Sequence, residues 1–228
     1  MKSIEHLFFD LDHTLWDYDK SAQETLGEVH RLLELSSEDI SLKSFIDAFY
    51  QVNNQLWHLY NQGKIDRRYI KEQRFVEVLK KVDAQTESAG RASSYFLEHC
   101  STKPYLIADT KAVLTYLAGR YKLHIITNGF TEAQNNKLCN SGIDSFFDVV
   151  VTSESTGDKK PSPGIFLHAL EKAGTQASQS AMIGDNPRTD VQGAKEVGMY
   201  AVHYDPSGSC RSVADVRVNS LLELIKIF

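Results

Sequence analysis

Two aspartates separated by one residue end an apolar stretch near the start of the chain. The stretch LFFDLDHT runs from Leu7 to Thr14 and contains Asp10 and Asp12. Residues i and i+2 of a strand share a face, so the two carboxylates would lie close together beside a hydrophobic core. Unpaired buried charge is costly, so the pattern indicates a bound cation or a reaction that uses the carboxylates.

Three more polar segments follow apolar runs later in the chain. They are ITNG at 126–129, KPSP at 160–163 and GDNPRTD at 184–190. Ligands of open α/β sheets bind beyond the carboxyl ends of the strands, so these segments are predicted to meet the first one in space. The combined set of carboxylates, a lysine, and hydroxyl and amide donors is typical of a Mg²⁺-dependent phosphoryl-transfer site.

Each polar segment by itself has a simpler interpretation. Asp and Thr often end strands or cap helices, Asn-Gly is a common turn pair, and adjacent lysines usually belong to a solvated loop. All four segments in this order, each at its expected place after an apolar run, make that interpretation insufficient.

Five short apolar runs are predicted to form the strands that position these segments. They are HLFFDL near residue 6, KLHIITN near 122, DVVVTS near 148, SAMIGD near 180 and MYAVHYD near 199. Helical patterns alternate with the last four runs, at 110–121, 131–140, 163–173 and 191–197. This alternation predicts an α/β fold, a doubly wound Rossmann-like parallel sheet with helices on both faces.

The connection between the first two strands is far longer than a typical crossover. It contains apolar stripes at helical spacing, one of them formed by Phe45, Phe49, Val52 and Leu56. We therefore expect a helical domain at 17–103, inserted into a core domain made of 1–16 and 104–228.

The composition is that of an ordinary globular protein. The 228 residues are 42% hydrophobic and 24% charged, with a net charge of −5, which argues against a nucleic-acid polymer or an anionic membrane as the partner. The N-terminal segment MKSIEHLFF lacks a signal-peptide pattern, and no apolar run is long enough to span a membrane. The three cysteines match no metal pattern, so we expect a cytoplasmic protein with reduced thiols.

The order DLDHT, ITNG, KPSP, GDNPRTD resembles the haloacid dehalogenase-type (HAD) hydrolase superfamily, from Phe8 to Asp190. The helical insert resembles the C1 cap of that superfamily. VNNQLWHLYNQGKI and IITNGFTEAQNNKL are similar to the YjjG- and YfnB-type pyrimidine 5′-nucleotidases. The resemblance implies a strand order of 5-4-1-2-3. It also implies a phosphatase, because the pattern of the true dehalogenases lacks the second aspartate, Asp12.

The resemblance assigns a role to each core motif. Asp10 would be the nucleophile that forms an aspartyl phosphate, and Asp12 would be the general acid and then the general base. Thr127 and the backbone N–H of Asn128 would hold the phosphoryl oxygens. Lys160 would pair with Asp10 and the phosphoryl group as a point charge.

The implied cofactor is Mg²⁺, bound by the side chains of Asp10 and Asp185 and by the backbone carbonyl of Asp12. Asp190 would bind the metal through water, or would orient Lys160 or a helix start. These four carboxylates and a phosphate ester outweigh the charge of Mg²⁺ and one lysine. We therefore expect neighbouring like charge to raise the pKa of Asp12 and keep it protonated.

The inserted domain is expected to select the substrate, a small phosphorylated metabolite. Phe130, Trp57, Trp16 and Tyr60 are candidate stacking partners for a nucleobase, although aromatic residues at helical spacing are more often core residues. The leading hypothesis is a Mg²⁺-dependent phosphomonoesterase that acts on nucleoside 5′-monophosphates, as a monomer or homodimer.

Two alternatives remain open. A sugar-phosphate or phosphoglycolate phosphatase would use the same chemistry on another substrate. A receiver-like signalling module, phosphorylated on aspartate, would use a similar acidic cluster with a Thr and a Lys. The helical insert, expected to exclude water, and Asp12, placed to speed hydrolysis, disfavour a module that must keep its phosphoryl group. Rapid turnover of p-nitrophenyl phosphate would separate the two classes.

Overall fold

The computed structural model describes residues 4–228 and contains two compact units. The first unit comprises Met1–Tyr18 and Pro104–Phe228, and the second comprises Asp19–Lys103. The sequence-based prediction places the two divisions after residues 16 and 103. Residues 1–3 lie outside the described residues. They are the first residues of the predicted core domain and of the MKSIEHLFF segment.

The second unit is made of helices. Its α-helices are α1 (Tyr18–Leu32, whose first residue belongs to the first unit), α2 (Leu42–Asn61), α3 (Arg67–Lys81) and α4 (Ala89–Cys100). The predicted helical insert is therefore confirmed. Among residues 4–228, none of the helices is long and apolar enough to cross a membrane.

Aromatic side chains from three helices form the centre of the second unit. Phe45 and Phe49 of α2 pack against Phe75 of α3 and Phe96 of α4, with ring centroids 4.9 to 6.4 Å apart. This is the spacing of favourable aromatic pairs. The apolar stripe that predicted α2 is thus the face that this helix buries.

The first unit is built on one six-stranded parallel sheet. Its strands are β1 (His6–Phe9), β2 (Lys122–Thr127), β3 (Val149–Thr152), β4 (Ser180–Gly184), β5 (Tyr200–Tyr204) and β6 (Val216–Val218). They lie in the order β3-β2-β1-β4-β5-β6, and every neighbouring pair is parallel. The predicted order of the first five strands is confirmed. The edge strand β6 was not predicted, because three residues of sequence VRV do not form a recognisable apolar run.

Helices flank the sheet. They are α5 (Thr110–Ala118), α6 (Thr131–Ser141), α7 (Ser153–Thr156), α8 (Pro163–Ala173), α9 (Gly193–Glu196) and α10 (Leu224–Ile227). Gly142 ends α6 with φ of 65°, a left-handed conformation that favours glycine, as the sequence predicted. The central strands are buried on both faces, which explains their continuous apolar sequences.

The helix predicted at 191–197 begins earlier and has a different geometry. The backbone forms a π-helix at Pro187–Gln192 and continues as α9. The side chain of Asn186 accepts hydrogen bonds from the backbone N–H groups of Arg188 and Thr189, so the chain already turns directly after the GDN residues. Helical periodicity from Val191 onward detected only the second half of this segment.

Candidate active site

The polar segments that end β1, β2 and β4 lie together, as the sequence predicted. Asp10 directly follows β1, and Asp185 directly follows β4. Thr14 connects the two segments, since its hydroxyl donates to Asp185 Oδ1 at 3.3 Å and accepts from the backbone N–H of Asp185 at 3.1 Å. The neighbouring positions of β1 and β4 in the sheet thus bring residues 171 positions apart into one site.

Lys160 lies at the centre of this cluster, although it is 2% exposed. Its Nζ donates to Asp10 Oδ1 at 2.6 Å and to the carbonyl oxygen of Ile126 at 2.8 Å, and it forms an ion pair with Asp190 Oδ1 at 2.8 Å. Burial alone would lower the pKa of Lys160, but the ion pairs with Asp10 and Asp190 outweigh it and raise the pKa. The lysine is therefore a fixed positive charge against Asp10.

Asp190 contacts Lys160, as one of the three roles considered for it requires. Asp190 is 1% exposed, and its Oδ2 also accepts from the backbone N–H of Asn186 at 3.0 Å. A Cβ atom at Gly184 would clash with this carboxylate, so the glycine at the end of β4 allows Asp190 to reach Lys160.

The side chain of Asn128 holds the loop that contains Lys160. Its Oδ1 accepts from the Lys160 backbone N–H at 2.7 Å, and its Nδ2 donates to the Lys160 carbonyl oxygen at 2.9 Å. The prediction for Asn128 concerned its backbone N–H alone, and the sequence contained no signal for this side-chain contact 32 residues away.

Three carboxylates form a group that fits a divalent cation. Oxygen atoms of Asp10, Asp185 and Asp190 all lie within 4.8 Å of one another. Burial raises the pKa of Asp10 to about 8 against the opposing charge of Lys160, and burial with the nearby Asp190 raises the pKa of Asp185 to about 7. When all three carboxylates are ionised, their charge exceeds that of Lys160, and oxygen donors of this kind suit Mg²⁺.

We expect Mg²⁺ to stabilise the protein more at about pH 8.5 than at about pH 6. In the folded protein the pKa values of Asp10 and Asp185 are raised above those of the unfolded chain. Their protonated forms therefore contribute fully to the free energy of unfolding at low pH. Without a metal, this contribution is lost as the pH rises through about 7 to 8. Over the same range the ionised carboxylates become available to a cation. At a free Mg²⁺ concentration 100 times its Kd, the gain is about 2.7 kcal/mol.

Thermal unfolding with and without millimolar MgCl₂ at the two pH values measures this effect. Asp185→Asn is the matched variant, and it should lose most of the Mg²⁺-dependent shift. An equal shift of the wild-type protein at both pH values would contradict the assignment of these carboxylates as the cation site.

The environment of Asp12 differs from the prediction. Lys137 of α6 places its Nζ 2.7 Å from Oδ1 and 2.9 Å from Oδ2 of Asp12, and Gln134 of the same helix donates to Oδ2 at 3.0 Å. Burial would raise the pKa of Asp12, but the charge and hydrogen bonds of Lys137 outweigh it and lower the pKa. The expected rise from like charge is therefore wrong, because the prediction did not include Lys137.

The hydroxyl of Thr127 already takes part in two hydrogen bonds. It is 2% exposed, and its Oγ1 accepts from Gln134 Nε2 at 2.6 Å and from the Gly129 backbone N–H at 3.0 Å. In both contacts the oxygen accepts, so the hydroxyl can still donate its own proton, as the predicted role requires.

Sequence reasoning missed Gln134 and Lys137. They are i, i+3 neighbours on α6, a helix that begins two residues after the ITNG motif. Helical periodicity would have placed both side chains on one face. The signal was present in the sequence, but the two residues lie on a helix and do not directly follow a strand.

The aromatic candidates for substrate contact are mostly buried. Trp16 is 0% exposed, with its ring 4.6 Å from Lys137 Nζ, and Tyr60 and Phe130 are also buried. A ring without an exposed face cannot stack on a base, so the assignment of Trp16 is corrected to a core residue, and those of Tyr60 and Phe130 lose their support. Trp57 is half-buried and remains the candidate.

The strand order and the acidic cluster at the strand ends define a Rossmann-like hydrolase architecture with a helical insert. A family model described as haloacid dehalogenase-like hydrolase matches residues 4–198. The chain belongs to this family of hydrolases, as its motifs predicted.

Comparisons with individual proteins support the same family. N-acylneuraminate-9-phosphatase from Mus musculus is 28% identical over 234 residues, which cover 98% of this chain and 93% of the relative. Pyrimidine 5′-nucleotidase YjjG from Escherichia coli (strain K12) is 30% identical over 198 residues, which cover 85% and 82% of the two chains. The magnesium-bound crystal structure of the HAD hydrolase YfnB from Bacillus subtilis shares the fold, with a TM-score of 0.88, 24% identity and 99% of both chains covered.

Proposed function

We propose that the protein is a Mg²⁺-dependent phosphomonoesterase that hydrolyses small phosphate esters through an aspartyl-phosphate intermediate. The supporting observation is the buried ion pair between Lys160 and Asp10 inside a group of three carboxylates. A nucleophilic carboxylate must meet a phosphate dianion at this place, and one lysine cannot balance that charge. A bound Mg²⁺ would supply the remaining positive charge, and the crystal structure of the similar YfnB is bound to magnesium.

In the proposed first step, Asp10 attacks the phosphorus atom and the bond to the ester oxygen breaks. The departing oxygen takes a proton from Asp12, and the phosphoryl group remains on Asp10 as an acyl phosphate. Lys160 and the hydroxyl of Thr127 stabilise the negative charge of the phosphoryl oxygens, together with the backbone N–H of Asn128.

In the second step, Asp12 takes a proton from water, and the water oxygen attacks the acyl phosphate. Phosphate leaves and the Asp10 carboxylate is restored. The ionised form of Asp12 that Lys137 favours suits this second role. For the first role, the negative charge of a bound phosphate ester favours protonation of Asp12.

We further propose that the substrates are nucleoside 5′-monophosphates and that the helical unit contributes to their selection. Two observations support this choice. The chain is similar to YjjG, a pyrimidine 5′-nucleotidase. The segment VNNQLWHLYNQGKI, which forms the end of α2 and the four residues after it, resembles that group. The similarity to N-acylneuraminate-9-phosphatase, which covers almost the whole chain, favours a sugar-phosphate substrate as the second candidate.

A substrate panel distinguishes these candidates. Pyrimidine nucleoside 5′-monophosphates should exceed ribose 5-phosphate and phosphoglycolate in kcat/KM, because base recognition adds binding energy that supports the chemical step. If Trp57 stacks on the base, Trp57→Ala should lower kcat/KM for nucleotides by up to about 100-fold and leave p-nitrophenyl phosphate nearly unchanged.

The control is Tyr69→Ala, which removes an exposed aromatic side chain of α3. Equal losses of the Trp57 variant on both substrates would make Trp57 a packing residue of the helical unit. If sugar phosphates have the highest kcat/KM of the panel, the nucleotidase proposal is overturned and the phosphatase proposal still stands. A protein that is phosphorylated on Asp10 but does not turn over p-nitrophenyl phosphate would favour the signalling module.

A further inference from the structure

Helix α6 places two buried polar side chains against Asp12. Lys137 is 7% exposed and contacts both carboxylate oxygens, and Gln134 is 0% exposed and donates to one of them. Asp12 itself is about a quarter exposed, with 25% of its side-chain surface accessible. Three hydrogen bonds from one helix therefore hold a carboxylate that can still be approached by a small molecule.

A buried lysine is costly, and this one has two compensating contacts. The first is the Asp12 carboxylate, and the second is the ring of Trp16, whose centroid lies 4.6 Å from Nζ. The indole and the carboxylate together restrict the position of the ammonium group. The lysine in turn restricts the rotation of the Asp12 carboxylate.

Gln134 joins Asp12 to the proposed phosphate site. Its Nε2 donates both to Asp12 and to the hydroxyl of Thr127. Its Oε1 is buried, with no hydrogen-bond donor among residues 4–228, so the contacts of Nε2 determine how this amide is oriented. A Cβ atom at Gly129 would clash with the Gln134 side chain, so the glycine of ITNG provides the space that the amide occupies.

We propose that Lys137 and Gln134 are positioning residues that hold the Asp12 carboxylate for proton transfer. This inference rests on the proposed phosphatase function. Neither residue transfers a proton itself: Asp12 gives one proton to the departing ester oxygen and recovers one from water. The catalytic effect of an acid or base group depends strongly on its correct placement. Loss of the hydrogen bonds that hold the Asp12 carboxylate should therefore slow the chemical step.

A double-mutant cycle between Lys137 and Asp12 tests this role. Lys137→Met should lower kcat for an alkyl phosphate by about 100-fold, with a smaller loss for p-nitrophenyl phosphate, whose leaving group needs little protonation. The KM should change little. In an Asp12→Asn background the same substitution should cost less than about twofold, because the group that it positions is absent.

Two further variants complete the test. Lys137→Arg keeps a cation with several donors and should retain most of the activity that Lys137→Met loses. Gln134→Leu should show the same dependence on Asp12 and, because Gln134 also contacts Thr127, a higher KM. Lys111→Met, at an exposed lysine of α5, is the control that should leave the kinetics unchanged in both backgrounds.

The outcomes separate this inference from the proposed function. Equal losses from Lys137→Met in the wild-type and Asp12→Asn backgrounds would make Lys137 a structural residue and overturn the positioning role, while a phosphatase inactivated by Asp10→Asn would still stand. A wild-type protein that hydrolyses no phosphate ester would overturn both. If Lys137→Met does not fold, Lys137→Gln provides the same cycle with a polar side chain.

Discussion

Replacement of Asp10 by asparagine is expected to abolish phosphate-ester hydrolysis, with a loss in kcat of at least about 10⁴-fold. A neutral amide oxygen does not attack phosphorus, so the acyl phosphate cannot form. Lys160 would keep its ion pair with Asp190, and the variant should therefore remain folded. Steady-state turnover of p-nitrophenyl phosphate measures the loss, and acid quenching with a ³²P-labelled substrate measures the phosphoenzyme.

Two variants serve as controls for this experiment. Asp12→Asn retains the nucleophile, so it should still become labelled, with a larger loss of turnover for substrates with poor leaving groups. Asp148→Asn, at an exposed carboxylate that pairs with Lys122, should keep wild-type turnover. Labelled protein or substantial turnover in Asp10→Asn would exclude Asp10 as the nucleophile.

Replacement of Lys160 by methionine is expected to lower both kcat and the free energy of unfolding. The ammonium group pairs with Asp10 and Asp190 in the interior, and its removal leaves their charges uncompensated. Loss of one partner from a buried ion pair costs about 3–5 kcal/mol of unfolding free energy. The loss in kcat should be on the order of 10³-fold, since the proposed mechanism also uses this ammonium group to stabilise the phosphoryl oxygens.

The stability effect should depend on Mg²⁺. A divalent cation would neutralise part of the excess negative charge in the Lys160→Met variant, so millimolar MgCl₂ should raise its melting temperature more than that of the wild type. Lys159→Met is the matched control, because Lys159 is the adjacent lysine and is half-buried rather than buried. We expect it to change the unfolding free energy by less than about 1 kcal/mol. Equal losses of unfolding free energy in the two variants would contradict the role of Lys160 as the charge that compensates Asp10 and Asp190.

Much of the fold could be predicted from local sequence patterns. A strand buried on both faces must be apolar along its whole length, so the five longer strands were recognisable without knowledge of their neighbours. Helix α8 could be placed with its correct bounds because Pro163 suits a first helical turn and an apolar pattern follows it. The three-residue strand β6 depends on its pairing with β5, and no local pattern predicts such a contact.

The meeting of Asp10, Lys160 and Asp185 was also predictable from the sequence. Carboxyl ends of parallel strands point to one edge of a sheet, so the order of the apolar runs was enough to group the polar residues that follow them. Asp190 could be assigned to this group but not to a single role, because a choice between metal and lysine requires interatomic distances. The structure places Asp190 Oδ1 2.8 Å from Lys160 Nζ and also within the group of three carboxylates that fits a cation.

The electrostatic state of Asp12 was decided by the tertiary structure alone. A count of charged residues at strand ends contained four aspartates and one lysine, and it predicted a raised pKa. The folded chain places Lys137, from the interior face of α6, 2.7 Å from that carboxylate, which lowers the pKa instead. The sequence thus determined the residues at the strand ends that meet in the site, but it did not indicate the contacts of Gln134 and Lys137. A pKa depends on burial and on every charge within a few ångströms, and those distances exist only in the folded structure.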